Sequence, residues 1–512
     1  MKDKIKILDN YLEYLGIKKT WISILATRIK NSNNEKLYYI LNTKEFLGHI
    51  ILDNDLIDTL TIGQISLLYE YSLSFNNQDK KEQLGQFFTP DDVSQFVAKK
   101  TNCFPQNKIW LDLCSGIGNL SFYLLKEQKD PETFLKNNLY LLDVDGLALL
   151  IARTLFTIYF QNNDNQLFNN IRNRFITTDF LLNYYEVPNF DYIITNPPYG
   201  YMDGSVYNIY GSSIKRKNKY AVILKNILVL KTKGFVSITP ISFIYSKNYI
   251  DLRDLLVKRM NDIRIYCFDN IPDRIFDSFK FGSKNTNKVN STRIAITIAQ
   301  HKEEIKETTL KITPLLRWKR EQRNILFNNI DSFLEETPVD KNIFYKQYKE
   351  LKDLFNEAMA YSKKLKDLLC DKPTQYKLIV PTTPRYFISA TKRDIKRSSY
   401  KVLYFNNKED YDYAYLLLNS SYIYWWWKIC DNGMKLSNDC LFSLPIPNEY
   451  KKNYNLVKKL EKSEKNNLVT KNNAGKENEN IKHELSLIDE INKFLFPKYA
   501  TNLLKLHNNT DV

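Results

Sequence analysis

The sequence predicts a doubly wound α/β fold, in which helices flank a parallel sheet. Short apolar runs, typical of buried strands, alternate with amphipathic segments, typical of helices, between about residues 83 and 300. The predicted strands are Ile109–Leu113, Leu139–Leu142, Phe175–Thr177, Tyr192–Ile194, Phe235–Ile238, Arg264–Tyr266 and Arg293–Ile298. Glycine turns or acidic residues follow several of these strands. Because doubly wound sheets bind ligands at the carboxyl ends of their strands, a ligand site is expected there.

Three further regions flank this alternation. Residues 1–82 are predicted to be an N-terminal helical segment, because apolar residues recur there at helical spacing. Residues 301–450 mix short strand-like and helical patterns and are expected to form an α+β region. Residues 451–512 are predicted to be C-terminal helices, with a polar Lys/Asn linker at about 468–479.

The composition narrows the class of protein. The 512 residues include 74 Lys and Arg against 58 Asp and Glu, a net charge of +16. This excess suits a polyanionic partner, although the abundance of Lys throughout the chain explains it as well. Four His, and six Cys without a CxxC pair, predict neither a metal site nor a disulfide framework. With no apolar signal region and no run long enough to span a membrane, a cytoplasmic protein is expected.

The tetrapeptide Asn196-Pro197-Pro198-Tyr199 is the most informative segment. It follows a predicted strand, and two consecutive prolines make it stiff. It offers a side-chain amide oxygen, the Pro197 carbonyl and the aromatic face of Tyr199. These groups suit a planar heterocycle whose exocyclic amine donates two hydrogen bonds. A Pro-Pro turn that only ends a strand is the alternative reading.

Polar groups also follow the first three predicted strands. The segment Asp112–Gly118 contains two glycines that allow a tight turn and a close backbone approach to a ligand. Asp143 ends the second strand, where a carboxylate can accept hydrogen bonds from ribose hydroxyls. Asp179 follows the third strand and can hold an adenine amino group, while Phe180 covers the ring. Each acid alone is more often a helix cap or a solvated loop residue.

A dinucleotide site is a competing reading, since an acid after the second strand is common to both kinds of site. The glycine pattern disfavours it, because Asn119 and Leu120 follow Gly118 and no third glycine is present. Upstream, the segment Gly85–Pro90 precedes an apparent helix. Thr89 is predicted to be its N-cap, with Pro90 at the first helical position.

Taken in order, these segments resemble a known family. Gly85–Pro90, Asp112–Gly118, Asp143, Asp179-Phe180 and Asn196–Tyr199 are similar to motifs of the gamma class of adenine-N6 DNA methyltransferases. These are S-adenosylmethionine-dependent enzymes of type I and type II restriction-modification systems. Tyr424–Trp427 and Asp431–Ser437 look like the target-recognition region of related type II enzymes. The resemblance implies a Rossmann-like methyltransferase domain over 83–300 and a target-recognition region over 301–450.

The resemblance also implies a role for each motif residue. Thr89 and Asp112 would lie near the methionine end of the cofactor, with the backbone of the glycine turn beside them. Asn196, Pro197, Pro198 and Tyr199 would form the catalytic pocket for a flipped adenine. Phe276, with Phe279 close behind, is the candidate for the second stacking ring. The predicted cofactor-binding residues are Thr89, Asp112, Gly116, Gly118, Asp143, Asp179 and Phe180.

Two basic stretches favour double-stranded DNA as the partner. Between Asp203 and Asp251 the chain has eight cations and no acid, and Lys215, Arg216, Lys217 and Lys219 are the predicted phosphate contacts. A solvated basic helix face is the alternative. In the second stretch, within residues 372–397, Arg385 and Arg393 are candidates for reading bases. The adjacent tryptophans Trp425–Trp427 are predicted to fill a core.

Two other functions remain open from the sequence. The tetrapeptide also occurs in methyltransferases that act on RNA or on protein glutamine, and a catalytically inactive DNA-binding subunit would keep part of the motif set. The intact motif set favours an active, site-specific DNA adenine methyltransferase. A separately encoded restriction endonuclease is an expected partner, and the protein is expected to be a monomer near the bacterial nucleoid.

Overall fold

The structure is a computed structural model. It describes residues 2–75, 89–202, 218–230, 232–276, 292–431, 433–448, 452–473, 476–508 and 510–511. The chain forms two compact units. The first comprises Met1–Phe243, Asn248–Ile265 and Arg274–Thr309, and the second comprises Ile244–Lys247, Tyr266–Asp273 and Leu310–Val512. Within the described ranges, no helix combines the length and apolarity that crossing a membrane requires.

The α-helices of the described residues are α1 (Lys2–Asn31), α2 (Ile62–Ser74), α3 (Asp91–Lys100), α4 (Asn119–Lys126), α5 (Pro131–Asn137), α6 (Gly146–Phe160), α7 (Leu167–Asn170), α8 (Lys219–Val229), α9 (Ser242–Tyr245), α10 (Ile250–Arg259), α11 (Arg323–Asn329), α12 (Lys352–Ala360), α13 (Lys408–Leu417), α14 (Ser421–Cys430), α15 (Asn438–Phe442), α16 (Tyr454–Asn466), α17 (Leu485–Leu495) and α18 (Ala500–Lys505). Helix α1 is interrupted at Gly16, whose φ is positive.

The strands are β1 (Trp110–Leu113), β2 (Leu139–Asp143), β3 (Phe175–Thr177), β4 (Tyr192–Thr195), β5 (Gly234–Pro240), β6 (Asp262–Phe268), β7 (Ile294–Gln300), β8 (Thr309–Leu316), β9 (Glu335–Glu336), β10 (Lys363–Lys364), β11 (Tyr376–Pro381), β12 (Tyr400–Phe405), β13 (Pro445–Ile446), β14 (Leu468–Asn473) and β15 (Lys476–Ile481).

The predicted α/β fold is confirmed. The strands follow the order β3-β2-β1-β4-β5-β7-β6, and the first five of these pair in parallel. Helices α4, α6 and α8 lie in the connections between these parallel strands, which is the βαβ arrangement of a doubly wound sheet. The prediction of an entirely parallel sheet is wrong at β7, which pairs antiparallel with β5. An apolar run indicates a buried strand but carries no information about its direction.

The centre of this sheet is fully buried. Every residue of β1 and β4 is buried, as expected for strands covered on both faces. At the carboxyl end of β2, Asp145 caps helix α6 by accepting hydrogen bonds from the backbone N–H groups of Leu147 and Ala148, at 3.0 and 3.2 Å. Apolar burial therefore fixes the strands, and polar residues occupy the edge where the strands end.

The second unit has its own aromatic core. Trp425, Trp426 and Trp427 of α14 are at most 3% exposed, which confirms that they fill a core. The indole N–H of Trp426 donates to the Cys440 carbonyl at 3.1 Å, and that of Trp427 donates to the Lys435 carbonyl at 3.3 Å. Burial of the ring with a partnered N–H is the usual state of a core tryptophan.

The linker predicted at 468–479 is wrong. Strands β14 and β15 pair there as an antiparallel hairpin, with Leu468 opposite Ile481. The Glu479 N–H donates to the Lys396 carbonyl at 2.8 Å, and the Lys396 N–H donates to the Glu479 carboxylate at 2.6 Å. Contacts with a segment 83 residues away thus stabilise a hairpin that its polar composition does not predict.

Candidate active site

A cavity of about 290 Å³ lies in the first unit, where β1, β2 and β4 end. Its wall contains most of the residues that the motifs single out, together with others. The lining residues are Tyr69, Thr89, Asp112, Cys114, Ser115, Gly116, Asn119, Leu120, Leu142, Asp143, Val144, Asp145, Ala148, Thr178, Asp179, Phe180, Leu181, Asn196, Pro198, Lys219 and Ile223. The carboxyl edge of the sheet is therefore the place where the predicted ligand site forms.

Asp112 provides a buried carboxylate at the end of β1. It is 1% exposed, and its Oδ2 accepts a hydrogen bond from the Ser121 hydroxyl at 2.6 Å. Its Oδ1 is buried and has no hydrogen-bond partner in the described part of the chain. Burial raises the pKa of Asp112 to about 7. An acid in this state is available to a ligand that donates a hydrogen bond or carries a positive charge.

The turn after β1 needs unusual backbone angles. Cys114, Gly116 and Gly118 all have positive φ, of 58°, 54° and 81°. A Cβ at Gly118 would lie 2.7 Å from the Phe156 ring, so only glycine fits there. Gly116 lines the cavity, whereas Gly118 is not among the lining residues and instead allows the close packing at the start of α4. The predicted ligand contact of Gly118 stays a prediction.

Asp143 closes this turn from the end of β2. Its Oδ2 accepts from the Gly116 N–H at 2.8 Å, and its Oδ1 accepts from the Asp145 N–H at 2.9 Å. Burial raises the pKa of Asp143 to about 6, even though both backbone hydrogen bonds favour the ionised form. Each carboxylate oxygen keeps a second lone pair, so two hydroxyl groups can still bind.

Asp179 and Phe180 form the side of the cavity beyond β3. The Oδ1 of Asp179 accepts from the Leu181 N–H at 2.9 Å, which fixes the carboxylate at the cavity wall. Phe180 is 4% exposed and also lines the cavity. An acceptor beside an aromatic ring is an arrangement that can bind a planar base with an exocyclic amine.

The tetrapeptide lies at the same cavity. Asn196 and Pro198 line it, Pro197 is buried, and Tyr199 is buried with its hydroxyl 3.0 Å from Asn196 Oδ1. The ring of Phe276 lies 6.3 Å from that of Tyr199, measured between centroids, at an angle of 57°. A base stacked between two parallel rings needs roughly 7 Å between them, because carbon atoms in contact lie about 3.5 Å apart. The two rings are thus close to the required spacing but tilted.

Thr89 contacts the tetrapeptide and does not cap a helix. Helix α3 begins at Asp91 with Pro90 as the flanking residue, and no side-chain cap forms. The predicted N-cap role of Thr89 is therefore wrong. The Thr89 hydroxyl instead accepts a hydrogen bond from Asn196 Nδ2 at 3.1 Å. This contact with a residue distant in sequence replaces the predicted contact with the start of helix α3.

The residues predicted to contact DNA differ in their surroundings. Lys219 lines the cavity. In the second unit, Arg385 is exposed and its guanidinium has no partner among the described residues, whereas Arg393 donates to the Glu464 carbonyl at 3.3 Å. Lys215, Arg216, Lys217, Phe279 and residues 85–88 lie outside the described residues.

The motifs give no role to Tyr69, Asn119 and Asp145, which also lie in the cavity wall. Tyr69, on α2, donates its hydroxyl to the Asp145 carboxylate at 2.6 Å. Asn119 donates to the Thr89 carbonyl at 2.7 Å and accepts from the Ser66 hydroxyl at 2.5 Å. An Asp-Gly pair after a strand is a helix-cap signal that points to Asp145. No local pattern points to Tyr69, which reaches the cavity from a distant part of the chain.

Solved structures similar to this chain include the following three proteins. One is a DrdV–DNA complex, with 12% identity, a TM-score of 0.45, and coverage of 74% of this chain and 44% of that one. Another is a modification subunit of a putative type I restriction enzyme from Vibrio vulnificus YJ016, with 14% identity, a TM-score of 0.37, and coverage of 59% and 64%. The third is the type IIG restriction endonuclease BpuSI, with 11% identity, a TM-score of 0.44, and coverage of 98% and 78%. The matches to the first two thus span less than two thirds of those chains.

A search of the curated proteins gives no significant match. The model of the N-6 DNA Methylase family matches residues 61–310. This range contains every residue that lines the cavity, and it confirms the resemblance to adenine-N6 DNA methyltransferases that the motifs indicate. Over residues 61–310, just under half of its length, this chain is therefore similar to the N-6 DNA Methylase family.

Proposed function

We propose that this protein is a DNA methyltransferase of a restriction-modification system, which transfers a methyl group from S-adenosylmethionine to N6 of adenine at a specific site. The observation that carries the proposal is the position of Asn196, which lines the same cavity as Asp112, Asp143 and Asp179. An acceptor for the amine of the target base thus lies next to the groups that suit a nucleoside cofactor. The family of residues 61–310 supports the same reaction.

The charges of the cavity wall fit the cofactor. Four aspartates and one cation, Lys219, lie among the described lining residues. S-adenosylmethionine has a sulfonium and an ammonium group against one carboxylate, so its net charge is positive. Asp112, with a buried unpartnered oxygen, suits the ammonium group at the methionine end. We assign Lys219 to the carboxylate of the cofactor, in place of the DNA phosphate that the sequence suggested.

The remaining wall suits the nucleoside part. Asp143 would accept hydrogen bonds from the ribose hydroxyls with the lone pairs that Gly116 and Asp145 leave open. Asp179 would accept from the adenine amine, with the Phe180 ring against the adenine face. When bound, the cofactor supplies an electrophilic methyl group on sulfur.

The residues of the tetrapeptide would activate the target amine. Its lone pair is delocalised into the adenine ring, which makes it a weak nucleophile. Hydrogen bonds from the amine to Asn196 Oδ1 and to the Pro197 carbonyl favour tetrahedral nitrogen and localise the lone pair. In a direct in-line displacement, the amine nitrogen would bond to the methyl carbon as the carbon–sulfur bond breaks, which would leave S-adenosylhomocysteine, and the methylated amine would lose a proton to solvent. The protein would contribute orientation and fixed dipoles. The adenine must leave the duplex to reach the cavity.

The second unit would supply the sequence specificity. It contains the exposed Arg385, and an unpaired guanidinium suits bidentate recognition of guanine. We place the protein in the cytoplasm, where DNA is available. A separately encoded endonuclease remains part of the proposal, as the enzyme whose cleavage this methylation would block.

The test is methylation of unmodified DNA. The purified protein is incubated with genomic DNA that lacks N6-methyladenine and with S-adenosylmethionine, and the product is read by single-molecule sequencing. We expect N6-methyladenine at one short recurrent sequence. RNA and glutamine-containing peptides, tested in parallel, should receive no methyl group.

Asp143→Ala serves as a cofactor control, because loss of the ribose acceptor should weaken binding of S-adenosylmethionine in calorimetry. If the methyl group were transferred only to RNA or to peptide, DNA would not be the substrate. Tight cofactor binding without any transfer to DNA would point to an inactive DNA-binding subunit.

A further inference from the structure

A continuous chain of hydrogen bonds connects the cofactor cavity with the tetrapeptide. Ser66 Oγ donates to Asn119 Oδ1 at 2.5 Å, and Asn119 Nδ2 donates to the Thr89 carbonyl at 2.7 Å. Asn196 Nδ2 donates to Thr89 Oγ1 at 3.1 Å, and the Tyr199 hydroxyl donates to Asn196 Oδ1 at 3.0 Å. All five residues belong to the first unit. Thr89 is the member through which the carboxamide of Asn119 is linked to that of Asn196.

The chain specifies which atom of the Asn196 amide is the acceptor. The Tyr199 hydroxyl lies 3.0 Å from Asn196 Oδ1 and 3.4 Å from the Ile238 carbonyl, so the shorter contact receives the proton. Burial raises the pKa of Tyr199 well above its ordinary value, so the hydroxyl is protonated and able to donate this hydrogen bond. The amide nitrogen then points to Thr89, whose hydroxyl oxygen accepts. An amide oxygen has two lone pairs, so one hydrogen bond from Tyr199 does not exhaust its capacity to accept.

This orientation matters for the proposed reaction. An amine needs an acceptor, and an Asn196 side chain rotated by a half turn would oppose the amine with its own N–H groups. Thr89 is 5% exposed, and its carbonyl is held by Asn119, which is 4% exposed. The Thr89 hydroxyl, which accepts the hydrogen bond from the Asn196 amide, is therefore fixed in a buried position.

We propose that Thr89 is a positioning residue for methyl transfer: its hydroxyl holds the Asn196 amide with the oxygen turned toward the target amine. The proposal rests on the proposed function and assigns Thr89 to the acceptor of the base, in addition to the wall of the cofactor cavity. In this role Thr89 acts through Asn196.

The test compares Thr89→Val, which keeps the shape but removes the hydroxyl, with Thr89→Ser, which keeps the hydroxyl. Single-turnover methyl transfer to DNA is measured at saturating cofactor, and the affinity for S-adenosylhomocysteine is measured by calorimetry. We expect Thr89→Val to slow transfer by about 10- to 100-fold, since misplacing a group near the reacting centre costs rates of that order. Thr89→Ser should lose much less of the rate. Because Thr89 lines the cofactor cavity, binding of S-adenosylhomocysteine is compared between the two variants, and we expect their affinities to be equal.

A second comparison separates positioning from general damage. In an Asn196→Ala background, Thr89→Val should cause no further loss, because nothing remains to be positioned. A wild-type rate for Thr89→Val, or an equal additional loss in the Asn196→Ala background, would overturn the inference. A loss that follows S-adenosylhomocysteine affinity would make Thr89 a cofactor residue only. If Thr89→Val lacks a cooperative thermal transition, Thr89→Ala takes its place in both comparisons.

Failure of the proposed function has a different signature. It appears as absence of methyl transfer to DNA adenine by the wild type itself. In that case the positioning role of Thr89 is wrong as well, because there is no methyl transfer for it to serve. When the wild type is active and only the Thr89 variants behave otherwise than expected, the fault lies in the positioning inference alone.

Discussion

The buried Arg317 of the second unit and the buried Asp112 and Asp143 of the first unit differ in their partners. In the second unit, Arg317 is 1% exposed and its Nε lies 2.9 Å from the Asp269 carboxylate, which is itself buried. Arg317 also donates to the Tyr424 hydroxyl at 3.0 Å and to the Arg385 carbonyl at 3.1 Å. In the first unit, Asp112 and Asp143 are equally buried, and neither forms an ion pair within the described residues.

The difference separates a structural network from a binding site. A buried charge whose partners lie in the same chain needs no ligand to neutralise it. Removing one partner leaves the other charge buried and unpaired. Burial instead raises the pKa of Asp112 to about 7 and that of Asp143 to about 6, because no cation offsets the loss of hydration. Buried acids without a cation are groups whose partner is expected to be a ligand.

Breaking the structural network should have the largest effect. Arg317→Leu leaves the Asp269 carboxylate buried without its cation, so we expect the free energy of unfolding to fall by about 3–5 kcal/mol. Urea denaturation measures the change, and Arg320→Leu, at an exposed arginine, is the control. If the two variants lose equal stability, the network has no special structural role.

Removing the acceptor in the first unit should abolish the reaction and leave the fold intact. Asn196→Ala is expected to lower the rate of methyl transfer by ~10²–10³, the usual cost of one preorganised polar group. Calorimetric affinity for S-adenosylhomocysteine should stay near that of the wild type. Asn102→Ala, at an exposed asparagine, is the matched control. Turnover at the wild-type rate would exclude Asn196 from the mechanism.

Asp112 should make stability depend on pH in the direction set by its raised pKa. The folded protein holds the Asp112 proton up to about pH 7, whereas the ordinary pKa is 3.8. The folded state binds more protons between these values, so the contribution of Asp112 is fully present below pH 3.8 and is lost as pH rises through 7.

Asp112→Asn removes this dependence. Without cofactor, it should stabilise the protein above pH 7 by on the order of 1–2 kcal/mol, with no gain below the ordinary pKa. Thermal unfolding at several pH values measures the effect, and Asp53→Asn, at an exposed aspartate, is the control. The same variant should weaken S-adenosylmethionine binding. A gain that is constant with pH would mean that folding does not raise the pKa of Asp112.

Substitution of Lys219 should have the smallest effect, and it distinguishes between binding of the cofactor carboxylate and binding of DNA phosphate. If it binds the cofactor carboxylate, Lys219→Met should weaken S-adenosylmethionine binding by about 10-fold, equivalent to about 1.4 kcal/mol. Binding of methylthioadenosine, which has no carboxylate, should not change. If Lys219 instead contacts phosphate, the salt dependence of DNA binding should decrease by about one unit of slope. Lys225→Met, on the same helix, is the control.

The sequence predicts what depends on neighbouring residues. The apolar runs identify the central strands, and the strand ends identify Asp112, Asp143 and Asp179, because strand and ligand group are adjacent in the chain. The glycine turn is also predictable, since Gly116 and Gly118 follow the strand closely in the chain, whereas the packing of the Phe156 ring against Gly118 is seen only in the structure. These features carry the family resemblance, and the family match confirms it.

The sequence does not predict what depends on distant partners. Whether a lysine faces phosphate or the cavity is decided by the packing of its helix, and composition alone assigned Lys219 to DNA. The hairpin of β14 and β15 depends on Lys396. The hydroxyl of Thr89 forms a hydrogen bond with Asn196, 107 residues away, in place of the local cap.

Helix α2 sets a limit on how this protein can be recombined. Tyr69 and Ser66 reach Asp145 and Asn119 from outside the stretch that carries the recognisable motifs. A fusion protein in which this chain begins at residue 83 would contain every motif. It would lack Tyr69 and Ser66, whose hydroxyl groups bind Asp145 and Asn119 in the cavity wall. The cavity thus depends on a longer segment than the one that carries the motifs, and the family match, which begins at residue 61, includes helix α2 and both of these hydroxyl groups.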